Sequence, residues 1–151
     1  MKPLTALLLI FSIAALYFFA YTGGEEEGVP ADYSIPAGVA AHVESDTVVI
    51  ITSQQQFSNA FGEAGTKLTA VNFDETSLAV VTGMAPHPVT ELSASIISRL
   101  TTGWDLKIVV KHGTAGAPQP WTVAYLVPCG TKASDIRLRI ETEPADPNGQ
   151  N

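Results

Sequence analysis

The sequence predicts an α+β domain: a mostly antiparallel β-sheet or open barrel with one short helix, preceded by an N-terminal apolar helix. Three observations carry this expectation. Leu78-Ala79-Val80-Val81 is apolar at consecutive positions, as in a strand buried on both faces rather than one. Residues 104–111, 121–127 and 135–141 each repeat with period two, the spacing of strands. Ser53–Phe61 alone switches to helical spacing.

In chain order, residues 1–22 read as a signal peptide or membrane anchor. Lys2 gives a positive start, and Leu4–Tyr21 is an 18-residue apolar run broken only by Thr5 and Ser12. That length is at the low end of the ~17–25 residues that span a bilayer. Cleavage after Ala20 puts bulky Phe18 at −3, and cleavage after Gly24 puts Thr22 there, so an uncleaved anchor is the first reading and a cleaved signal the second. Lys2 before the run and Glu25-Glu26-Glu27 after it keep the N-terminus inside and send the remainder out. Residues 23–38, rich in Gly, Pro and Glu, read as an acidic tether.

A single β-rich domain is expected over 39–142. Val39–Val43 and Thr47–Thr52 flank Glu44-Ser45-Asp46 as a hairpin does. Ser53 and Gln56 fit a capping box, and Phe57, Ala60 and Phe61 form the stripe of a helix ended by Gly62 and Gly65. After the apolar run comes a proline-bracketed loop, Gly83–Pro88, then an alternating strand through Leu92, Ala94 and Ile96 and a turn at Thr101-Thr102-Gly103. Trp104–Lys111 is a half-buried strand, His112–Pro120 a Gly/Pro loop, and Trp121–Val127 another strand. Ile136, Leu138 and Ile140 face one way, while Asp135, Arg137, Arg139 and Glu141 face the other, which suits an exposed face or a guarded edge. Residues 143–151 read as a loose tail.

Composition narrows the function. Eight basic residues stand against 15 acidic ones, for a net charge of −7, which disfavours nucleic acid and anionic lipid as partners. Membrane contact is left to the N-terminal segment. Cys129 is the only cysteine, so the domain has no intrachain disulfide and rests on its core, with the thiol expected buried.

No chemistry-bearing constellation stands out. His42, His87 and His112 lie at no metal-ligand spacing from one another or from Cys129, so neither a metal nor a cofactor is expected. No G-x-S-x-G occurs, Cys129 lacks a helix N-terminus, and adjacent Asp74 and Glu75 would point to opposite faces of a strand. Residues 113–118 lack the lysine and following helix of a phosphate loop. The chain is accordingly read as non-enzymatic. The candidate partner-contact residues are Pro86, His87 and Pro88, a histidine held between two prolines, and Trp104 and Trp121, which begin strands and either line a groove or fill the core rim.

The segment VNFDETSLAVVTGMAP resembles the opening of the PrcB C-terminal-like domain family, named for an accessory subunit of a bacterial surface protease complex. Val71, Phe73, the Leu78–Val81 run, Gly83 and Pro86 carry the likeness. Val49–Phe57, Trp104–Val110 and Pro120–Val127 with Pro128 and Lys132 extend it over Val48 to Lys132. Asn72 stands where the family usually has Asp, and His87–Glu91 replaces a Thr-Gly-Gly-aromatic turn. The second departure bears on the partner, not on the fold. The resemblance implies a non-catalytic domain outside the cytoplasm that binds or stabilises a protein, a protease among the candidates. Two readings follow. One is an extracytoplasmic, membrane-tethered or secreted protein-binding domain that presents Met84–Thr90 and Gly113–Pro120 as contact loops. The other is a carrier of a small apolar ligand, with a pocket between sheet and helix lined by Phe57, Phe61, Trp104 and Trp121.

Overall fold

The computed structural model describes residues 28–146. The anchor or signal expected over 1–22 and the end of the tail lie outside the described residues. Among the described residues no helix is long and apolar enough to cross a membrane.

The described residues are α+β and mostly β, with one short α-helix among them. Its strands are β1 (Ala31–Tyr33), β2 (Val49–Ile51), β3 (Thr76–Ala85), β4 (Val89–Ser98), β5 (Trp104–His112), β6 (Gln119–Pro128) and β7 (Ile136–Pro144). Helix α1 (Gln54–Phe61) follows β2. They form two sheets rather than one open barrel, ordered β1-β6-β3-β2 and β4-β5-β7.

One long ribbon generates both sheets. β3 pairs antiparallel with β6 from Thr76↔Pro128 to Ala85↔Gln119. The same two chain segments continue as β4 and β5, paired from Val89↔His112 to Ser98↔Trp104. Between the two pairings the ribbon bends at 86–88 on one side and 113–118 on the other, and its halves pack against each other. β1 and β2 then extend the first half, and β7 extends the second.

The first sheet is buried on both faces, as the apolar run requires. Ala79 and Val81 face the second sheet, in a cluster with Leu106, Ile108, Val110, Trp121, Tyr125 and Ile136. Leu78 and Val80 face the other way, toward Tyr33, Ile51, Phe57, Ala60, Phe61 and Ala124. Every residue from Leu78 to Val81 is at most 2% exposed, so neither face of this strand meets water. The second sheet is amphipathic. Its outer face carries Lys107–Glu141 at 3.0 Å, Arg139–Glu141 at 2.9 Å and Lys111–Glu91 at 3.1 Å.

Helix α1 starts where its capping residues dictate. Ser53 Oγ accepts from the Gln56 amide at 3.2 Å. The reciprocal bond is displaced by one residue, since Gln56 Oε1 accepts from the Thr52 amide at 2.8 Å, not from Ser53. Gly62 caps the helix, but Gly65 does not stop the chain, which continues as a 3-10 segment over Gly62–Lys67.

Three expectations are corrected. Val39–Val43 is not a strand: the Ala41 amide donates to Thr122 Oγ1 at 3.2 Å and the His42 amide to the Ala60 carbonyl at 2.6 Å, so this backbone is satisfied without a ladder. The tether over 23–38 is not wholly unpacked, because Ala31–Tyr33 pairs with β6 and buries Tyr33, whose hydroxyl donates to the Thr69 carbonyl. β7 runs on to Pro144, into the segment read as tail. The pairing is mostly antiparallel, as expected; the exception is β7, which pairs parallel with β5 from Trp104↔Ile136 to His112↔Pro144. Parallel neighbours need a crossover, and here β6, lying in the other sheet, is that crossover.

Gly83 shows how tightly the ribbon is packed. It faces Trp121 across the ladder, and a Cβ there would lie 2.6 Å from Trp121 Cε2 and 2.9 Å from Asp46 Oδ1. The indole it would strike is buried, at 4% exposure. Gly83→Ala is expected to cost about 2 kcal/mol in denaturant unfolding, and an unchanged midpoint would refute this account of Trp121 packing.

Candidate functional site

Pro86 and Pro88 place the bend. Proline has no N–H for a ladder, so β3 ends at Ala85 and β4 begins at Val89. The facing loop is then zipped to the prolines. The Gly113 amide donates to the Pro88 carbonyl at 2.9 Å. The Val89 amide, freed by the bend, donates to Gln119 Oε1 at 2.9 Å. Gly116, at φ +108°, lies so close that a Cβ would come within 2.9 Å of the Pro88 ring. The end of β7 joins them through the Ala145 amide, which donates to the His112 carbonyl at 2.8 Å.

His87 is half-buried in this corner, between two exposed prolines. Its Nδ1 lies 3.0 Å from the Gly116 carbonyl, and Nδ1 of His112 lies 2.7 Å from the Gly113 carbonyl. A carbonyl only accepts, so both Nδ1 atoms carry the hydrogen and donate. The two imidazoles face each other with centroids 5.7 Å apart and planes inclined at 46°. Met84, the next-to-last residue of β3, is 62% exposed, enough to offer a partner most of an apolar side chain.

The predicted contact residues divide. Pro86, His87 and Pro88 meet in the corner, and the two predicted contact loops do converge there. Trp121 lies two residues from the end of the β3–β6 ladder but is buried, so it supports the corner from inside. Trp104 begins β5, eight residues before His112 and so about 26 Å away along the strand. It packs half-buried against the inter-sheet core. The pocket expected between sheet and helix does not form. Phe57 and Phe61 lie on one side of the first sheet, Trp104 and Trp121 on the other. Cys129 is exposed rather than buried, because it turns away beyond the last residue of β6.

Two features had no local sequence signal. The sequence places His112 at the start of a Gly/Pro loop, yet folding the chain about the turn at 101–103 sets position 112 opposite 89–90, beside His87. The second is Asp32 against Tyr125, cross-strand partners at the open side of the two sheets. Burial, with the adjoining Asp32 carboxylate and its hydrogen bond, pushes the Tyr125 phenol up to about 12. A shallow groove of about 360 Å³ runs past this pair, lined by Tyr33, Leu92, Ala94 and Val123 among others. The phenol therefore keeps its proton at neutral pH. On the outer face of the second sheet, the Lys107 hydrogen bond holds Glu141 below the usual carboxylate range.

Two predictions follow from this geometry. Gly116→Ala strains the backbone at positive φ and presses on Pro88, so it should lower stability by about 2 kcal/mol, and an unchanged melting temperature would argue against a zipped corner. Because the folded-state pKa of Tyr125 is raised above that of the unfolded chain, its contribution to stability is complete below about pH 10 and is lost as pH rises through about 12. Asp32→Asn should bring one tyrosine's ionisation back toward the ordinary value in an ultraviolet titration, and an unmoved curve would separate the two groups.

The chain matches no family model, and no curated protein or solved structure matches it.

Proposed function

We propose that this chain is a non-catalytic protein-binding domain working outside the cytoplasm, tethered by its N-terminal segment or released after cleavage, and that it docks through the 86–88/113–118 corner. The observation that carries this reading is the corner's construction. Two prolines, three cross-loop bonds and the Gly116–Pro88 contact fix its shape before any partner arrives, while Met84 stands exposed at its edge. A preformed surface gives up little conformational entropy on docking, and an exposed apolar side chain on it supplies the buried anchor that interfaces favour. The resemblance to PrcB C-terminal-like domains supports a protease or another envelope protein as the class of partner, in an assisting or stabilising role. The net charge of −7 supports a protein rather than a nucleic acid.

Proximity crosslinking of the full chain in its native host tests this. Wild type and Leu100→Glu, altered at the opposite end of the ribbon, should capture the same exported protein. Met84→Glu should reduce that capture at least fivefold with melting unchanged. Equal capture by all three, or no capture under conditions that retain a known envelope complex, would overturn the proposal.

A further inference from the structure

We propose that His87 and His112 form a binding site for a divalent late first-row transition ion, with zinc as its simplest probe. The sequence hides this pairing, because the two residues are 25 positions apart, His87 just before β4 and His112 at the last residue of β5, and only the antiparallel register sets them at one end of the ladder. The bend of the ribbon brings their rings together.

Three observations point to a ligand pair rather than a chance contact. Each ring donates Nδ1–H to a backbone carbonyl, Gly116 for one and Gly113 for the other. That outer bond is the one metal-bound histidines make, and it fixes the tautomer that leaves the Nε2 lone pair for the ion. The centroid separation of 5.7 Å also fits. Two imidazoles bound through nitrogen at ~2.1 Å to one tetrahedral ion have centroids about 5–6 Å apart. The rings are held in advance, too. His87 sits between two prolines, and His112 is fixed through the Val89↔His112 and His112↔Pro144 pairings.

Among the described residues no group of three His, Cys, Asp or Glu side chains gathers round one point. The described residues thus give the ion two ligands, with water to fill further positions. Imidazole nitrogens select zinc, nickel and copper over magnesium and calcium, which take oxygen ligands. An ion here would clip the 86–88 bend to the end of β5 and stiffen the corner. This inference does not rest on the docking proposal: metal binding is measured with no partner present, so each reading fails separately.

The test is a zinc titration of the untagged full chain. The melting temperature should rise by about 5–10 °C once zinc exceeds its Kd 100-fold. The rise should persist in His42→Ala, where the exposed third histidine is removed, and vanish in both His87→Ala and His112→Ala. A second readout needs no variant: the Nε2 resonances of His87 and His112 should move with zinc while those of His42 stay. No shift with wild type at millimolar zinc, a shift that survives in either corner variant, or equal movement of all three histidines would overturn the site.

Discussion

A proline nitrogen carries no hydrogen, and the architecture follows from where two of them fall. At Pro86 and Pro88 the β3–β6 ladder loses its donors, so a ribbon that otherwise pairs from Thr76 to Ser98 breaks once, near its middle. Once broken it folds over, because each half has an apolar face to bury. The first half offers Ala79 and Val81, and the second offers Leu106, Ile108 and Val110. That one event sets the number of sheets, makes β6 a crossover and so forces β7 to run parallel to β5.

The elements were legible where burial writes a pattern along the chain. Leu78–Val81 has water on neither side and therefore no alternation. Leu106, Ile108 and Val110 have water on one side of their strand and alternate. Ser53 and Phe57 mark a helix start that the hydrogen bonds bear out. The pairing partners were less legible. Val48–Ile51 has strand character, but its neighbour is β3 rather than Val39–Val43, and the preference for a local hairpin lost to a better apolar surface far along the chain. β1 was invisible for a related reason. Three residues in a Gly- and Pro-rich stretch hold no periodicity, and only Tyr33 reaching the core fixes them.

The site divides along the same line. Pro86-His87-Pro88 was conspicuous because proline acts on its own backbone, locally and visibly. The meeting of His87 with His112 was not, because spacing rules for ligand histidines hold when both sit on one element. Here the relation is set by register across a hairpin and then by the bend. Aromatic residues misled for the opposite reason. Trp104 and Trp121 share a residue type and a position near strand starts, yet the ribbon carries them to different levels of one core, and sheet one separates both from Phe57 and Phe61.

The corner is rigid without being the source of the fold's stability. The large buried side chains, Leu78, Val80, Val81, Ile108 and Val110, lie in the body of the two sheets. The corner is held mainly by exposed or half-exposed hydrogen bonds, each worth about 1 kcal/mol or less. A domain with no intrachain disulfide must keep its stability in such a core. That division leaves the side chains of the bend replaceable, since exchanging Met84 or His87 removes little buried area, whereas Gly83, one residue from Met84, is pinned beneath Trp121. Adjacent residues of β3 therefore answer to different demands: inward positions to packing, outward ones to whatever meets the corner.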